Sequence, residues 1–158
     1  MAVWAWLEAT GIGTWVRTST SIWALPTILT IHTFGMATLA GTNSVFALRV
    51  LGFAPQVPLP PLERLFPVMW TGFALSAISG TAWFMSEATQ RGVQPLFYVK
   101  LALVALAMVN LRLLRASAFP KTAGAGNHAI AAKAKVRAAT ALVIWACVIT
   151  AGRLMAYV

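Results

Sequence analysis

TSTSIWALPTILTIHTFGMATLAGTNSVFAL, residues 18–48, runs between Arg17 and Arg49 and carries no formal charge except the one His32 can take up. An α-helix rises ~1.5 Å per residue and the hydrocarbon core of a bilayer is ~30 Å thick, so about 20 such residues cross it. The stretch reads as a first membrane span over residues 22–49. Pro26 falls in its first turn, where the missing N–H is not needed.

Working outward, the same pattern recurs three times. Residues 52–61, GFAPQVPLPP, form a proline-rich connection expected to be non-helical. The charge-free run between Arg64 and Glu87 is a second span, 66–86, opened by Pro67 at a position suited to N1. A third span, 96–114, follows Pro95 and contains Lys100; a fourth, 137–157, contains Arg153. Residues 1–15 are too short to cross. With Trp4, Trp6, Leu7, Glu8 and Trp15 they read as an interfacial helix, because tryptophan favours the headgroup level. They lack the positive start and unbroken apolar run of a cleaved signal, so the segment is expected to be retained. The fold class is all-α: a four-helix transmembrane bundle with a short N-terminal interfacial helix, forming a single membrane domain.

Composition agrees. Of 158 residues, 59% are hydrophobic and 9% charged, against ~25% charged in soluble domains. A soluble globule, a disordered chain and a disulfide scaffold are thereby excluded; the single Cys147 reads as a small core residue. Twelve Lys+Arg against three Asp+Glu give a net charge of +9. No aromatic-plus-basic module accompanies that charge, so it points to the anionic face of a membrane and not to nucleic acid. Arg49, Arg64, Arg112, Arg115, Lys121, Lys133, Lys135 and Arg137, eight in all, fall on one side of a four-span topology. Arg17, Arg91, Lys100 and Arg153, four in all, fall on the other. The positive-inside rule then puts both termini on the non-cytoplasmic side, which for a Gram-negative bacterium is the periplasmic side of the inner membrane.

His32 is the first candidate for chemistry. Ten residues into the first span it would sit ~15 Å deep, near the midplane, where an ionisable group is costly and turns inward. Gly35 on the same face leaves room for a flat ligand or a close helix. One reading makes His32 an axial ligand to the iron of a b-type haem, or another metal or proton site. Arg153, Lys100 and Arg17 would then stand at the height of the propionates. The other reading makes it a neutral histidine bonded to a neighbouring Ser, Thr or carbonyl, with Lys100 and Arg153 snorkelling outward to Glu8 or Glu87. A second haem ligand is not obvious. His128 lies in the basic connection, and Met36, Met85 and Met108 are the alternatives.

Gly72, Ser76 and Gly80 recur every four residues, a face on which a second helix approaches closely, whether span one or another protein. Asn110 should hydrogen-bond across the bundle. The chain has no Asp, no paired intramembrane carboxylates, no phosphate-binding glycine loop and no H-E-x-x-H, which argues against a stand-alone enzyme.

Trp6-Leu-Glu-Ala-Thr10, His32-x-x-Gly35 with Gly41 and Leu48-Arg49-Val-Leu-Gly52, Trp70-Thr-Gly-Phe73 and Gly152-Arg153-Leu-Met-Ala-Tyr157 together resemble a family of small four-span bacterial inner-membrane proteins. More distantly the chain resembles copper-resistance D-type membrane domains and small b-type cytochromes. The resemblance implies His32 and Arg153 as notable polar positions. The resemblance implies two departures, at Ala47, where relatives often carry an acid, and at Arg115, where a histidine near the cytoplasmic end of span three is expected; if that histidine is a second ligand in relatives, this chain lacks it, which counts against a two-histidine haem site. Three functions remain open: a non-catalytic accessory or anchoring subunit that packs on a protein partner or a second copy; a b-type haem electron-transfer module using His32; and a small transporter or metal-handling protein using His32 and Asn43.

Overall fold

The computed structural model describes residues 2–119 and 132–157. His128 and Lys121 lie outside them. The described chain is all-helical: α1 (Ala2–Glu8), α2 (Gly11–Thr18), α3 (Leu25–Leu51), α4 (Leu65–Ser86), α5 (Ala88–Arg91), α6 (Pro95–Ala118) and α7 (Ala132–Leu154). The segments containing α3, α4, α6 and α7 are long and apolar enough to cross a membrane. The protein is a multi-pass membrane protein.

Several boundaries differ from expectation, each for a local reason. The interfacial segment is two helices, not one. Thr10 interrupts it as the N-cap of α2, accepting a hydrogen bond from the Gly13 N–H at 3.2 Å. The first span starts at Leu25 because Ser21 to Ala24 form a turn ahead of Pro26. The connection at 52–61 is not wholly irregular: Pro60 and Pro61 open a 3-10 turn, Pro60–Arg64, at positions with no N–H to satisfy. That turn feeds α4 from Leu65, so Pro67 is its third residue, still within the turn of unpaired donors. α6 runs on to Ala118, and α7 begins at Ala132, five residues before the expected start.

The packing order is α4 on α3, α3 on α7, α7 on α6. α2 lies against α4, and α1 against α4 and α5. α1 and α2 thus mark one end of the bundle, the N-terminal end, and the connection between α3 and α4 marks the far end. The apolar core is weighted towards the far end, with Phe46, Val50, Phe66, Met69, Leu111 and Leu114 buried. There Phe46 meets Phe66 edge-on at 5.1 Å and stacks on Phe119 at 5.9 Å. Arg49 ties the following loop down by donating to the Pro55 carbonyl at 3.0 Å. Asn110 Nδ2 donates across the bundle to the Arg137 carbonyl at 3.0 Å.

α3 and α4 meet backbone to backbone. A Cβ on Gly35 would stand 2.8 Å from the Gly72 carbonyl oxygen and 2.7 Å from the Ser76 nitrogen. Without a hydrophobic drive between helices in lipid, such close van der Waals contact holds them together. The small-residue face of the second span is therefore covered by α3 of the same chain. Cys147, expected in the core, is exposed. Trp145 and Val148 take the buried face of α7, and a thiol facing lipid costs little.

Candidate functional site

His32 leaves α3 towards α4. Its Nδ1 lies 2.9 Å from the Ser76 carbonyl oxygen, with Ser76 Oγ at 3.2 Å and Ser79 Oγ at 3.4 Å. A carbonyl can only accept, so Nδ1 carries the proton and donates it. Nε2 is left with its lone pair. The Ser79 hydroxyl donates to the Leu75 carbonyl at 2.6 Å, so it also faces Nδ1 as an acceptor. Gly80 provides the room: a Cβ there would stand 2.9 Å from His32 Cε1. The imidazole is set edge-on to Trp83, with ring centroids 6.0 Å apart.

The depth expected for this ring is revised by the helix start. His32 is seven residues from Leu25, so ~10 Å below the N-terminal end of α3 and about 9 Å short of the helix midpoint. It belongs to the N-terminal half of the bundle.

That half is open between α4 and α6, whose backbones do not close on one another. Side chains bridge them at either end: Phe84 stacks on Phe97 at 4.8 Å, and Phe66 meets Phe119 at 6.3 Å. Between these aromatic pairs lies a cleft of about 640 Å3. Phe73, Ala77 and Gly80 line it from α4, Leu101, Val104 and Met108 from α6, and His32 and Met36 from the α3 floor. Trp4 of α1 borders it and meets Phe84 edge-on at 5.6 Å. A smaller pocket, lined by Trp70, Val109 and Arg112, continues the seam and shares Phe73 and Met108 with the cleft.

Three basic side chains reach the cleft, His32, Lys100 and Arg91, together with Tyr98, whose hydroxyl donates to the Gly92 carbonyl at 2.8 Å. Arg91 lies over the Trp83 ring at 4.2 Å and pairs with Glu87 at 2.6 Å. The other two acidic side chains are also engaged, Glu8 with Arg17 at 3.0 Å and Glu63 with Arg115 at 2.8 Å. The chain holds three acidic side chains in all. Lys100 therefore has no carboxylate partner among the described residues, and neither it nor Arg153 pairs with Glu8 or Glu87 as the snorkelling reading expects.

Of the four residues named for a cofactor, the structure brings His32 and Lys100 to one cleft. Arg153 is exposed and does not line it. Arg17 sits on α2 and holds Glu8. Met36 and Met108 line the cleft and Met85 does not. Gly72, Ser76 and Gly35 meet at the α3–α4 contact, while Gly80 lies under the imidazole. Asn43 is fully buried away from the cleft, and neither of its side-chain polar atoms has a hydrogen-bond partner among the described residues. Sequence reasoning did not name Ser79, Trp83 or Arg91 as site residues. The signal for Ser79 was present in Ser76-x-x-Ser79-Gly80, which puts two hydroxyls and a gap on the helix face that meets His32.

Chemically, the site offers one neutral imidazole nitrogen, two cations and an apolar cavity. No cluster of three or more His, Cys, Asp or Glu suited to a metal ion occurs among the described residues. No protein-family model, curated protein or solved structure matches the chain.

Proposed function

We propose that the protein is a non-catalytic accessory module of a membrane that holds an apolar molecule in the cleft between α4 and α6. The observation that carries this reading is a space of about 640 Å3 at a seam spanned by side chains. Ligand and cofactor sites have volumes of ~300–1,000 Å3 and are mostly apolar, with a few placed polar groups. The cleft has that character, with His32, Lys100 and Arg91 grouped near the N-terminal end. The bias of basic residues orients this end away from the cytoplasm, and the inner membrane of a bacterium is the location proposed. A protein partner or second copy would dock elsewhere than on Gly72, Ser76 and Gly80, which α3 covers or His32 fills.

A second, sharper reading makes the occupant a b-type haem, and the Nδ1 bond of His32 favours it. Metal-bound histidines almost always donate the other ring N–H to a carbonyl, carboxylate or water, which fixes the tautomer. Here the Ser76 carbonyl takes that role and leaves Nε2 for iron. Met36 and Met108 are the soft donors at the same cleft. A bound haem would supply one-electron chemistry; the chain's own part is to orient it and exclude water. The third reading, transport or metal handling through His32 and Asn43, loses support because Asn43 does not reach the cleft.

A visible absorption spectrum of the detergent-purified protein tests the haem occupant. A Soret band that is lost in His32→Ala is expected. A colourless preparation that takes up no added haem overturns the haem reading.

A further inference from the structure

We infer that the cleft selects an amphiphile with an acidic head group, which it seats on Lys100 with an apolar body running towards Met108. The inference rests on the reading of the cleft as a ligand site. Lys100 is five residues into α6, so ~7 Å below the N-terminal end. A cation at such a depth is costly unless an anion or a polar group meets it.

Among the described residues no such anion meets it. The Lys100 stem runs towards α7: a Cβ on Gly152 would stand 3.6 Å from its Cε and 3.5 Å from its Nζ. Of the other ionisable groups lining the cleft, Arg91 has the same sign and already has Glu87, His32 is committed through Nδ1, and the Tyr98 hydroxyl donates to the Gly92 carbonyl. All three acidic side chains are engaged elsewhere. Among the described residues no side chain supplies the counter-charge, and an occupant of the cleft can. From Lys100 to Met108 α6 rises ~12 Å, lined by Leu101, Val104 and Ala105. A flat porphyrin with propionates and an acyl chain with a carboxylate share the chemistry required, namely an anion at one end of an apolar body.

The test compares each acid with its ester on the full-length protein in nanodiscs of zwitterionic lipid. The probes are haem b against its dimethyl ester, read by absorption, and a fluorescent long-chain fatty acid against its methyl ester, read by fluorescence. At least one acid is expected to bind about tenfold tighter than its ester, the scale of one hydrogen bond to a charged group. Lys100→Gln should abolish that preference and Lys100→Arg should keep it, with thermal melting verifying that both variants fold. Whichever pair shows the preference identifies the apolar body. Equal binding of acid and ester overturns the acid selectivity and leaves the cleft reading standing. Failure of all four probes to bind overturns both.

Discussion

Gly80 lies directly beneath the imidazole of His32, so close that a methyl group at its Cα would stand 2.9 Å from Cε1. The absence of one side chain on α4 thus sets where the ring of α3 can rest, with Nδ1 held against Ser76. Gly80→Ala should push the ring away from Ser76. The cost expected is that of overpacking, ~1–3 kcal/mol, read as a lower melting temperature in detergent. Gly80→Val should cost more. Unchanged melting in both variants would show that the ring does not occupy this position.

The α3–α4 contact makes a separate prediction. Ser76 is buried against Gly35, and a Cβ on Gly35 would stand 2.7 Å from its backbone nitrogen. Ser76→Leu should force the two helices apart and remove a hydroxyl from Nδ1 of His32. A fall in thermal stability of about 1–3 kcal/mol is expected. No change in melting would contradict the close contact.

Glu8 fastens α1 over the rim of the cleft. Its carboxylate accepts from the Thr89 hydroxyl at 2.6 Å and the Thr89 N–H at 2.8 Å. Those bonds to Thr89, together with Arg17, hold its pKa below the ordinary value of 4.5. A depressed carboxylate pKa stabilises the folded arrangement above the ordinary value, and the contribution is lost as pH falls through the depressed one. Acidification below 4.5 should therefore loosen α1. Trp4 fluorescence should report it, with Trp4→Phe as the control for the other tryptophans. The transition should be missing in Glu8→Gln, and its persistence there would assign it to another group.

Asn43 is a buried amide whose nitrogen and oxygen find no partner among the described residues. Replacing an unsatisfied polar group by an apolar one of similar shape is neutral or stabilising. Asn43→Leu should melt at the same temperature as the parent or higher. A large loss would reveal a bonded partner for that amide.

The four spans were legible because hydrocarbon thickness sets a length and charge marks its limits. Arg49, Arg64 and Glu87 lie within two residues of the helix ends they mark, whereas Arg17 stands eight residues ahead of Leu25 because a turn precedes the first span. The third ends early and the fourth starts late from sequence, since Arg112 and Arg115 sit on α6 itself and Lys133, Lys135 and Arg137 on α7, so a charge no longer marks the helix end. The break at Thr10 was hidden because an N-cap inside a short apolar segment resembles any other threonine. The cleft was not legible. Hydropathy places helices in a membrane but does not say which neighbours touch, and the gap between α4 and α6 depends on that order. For the same reason Lys100 and Arg153 looked equivalent by depth, whereas rotation about their helices turns Lys100 to the cleft and leaves Arg153 exposed.

The occupied cleft is tested most directly by native mass spectrometry of the protein released from its own membrane. Ala77 and Ala105 face the space from α4 and α6, so Ala77→Trp with Ala105→Trp fills it. A discrete added mass of one occupant is expected on the parent protein, together with its loss from the filled variant. A parent protein at the mass of the bare chain, or an added mass that survives in the filled variant, would contradict an occupied cleft.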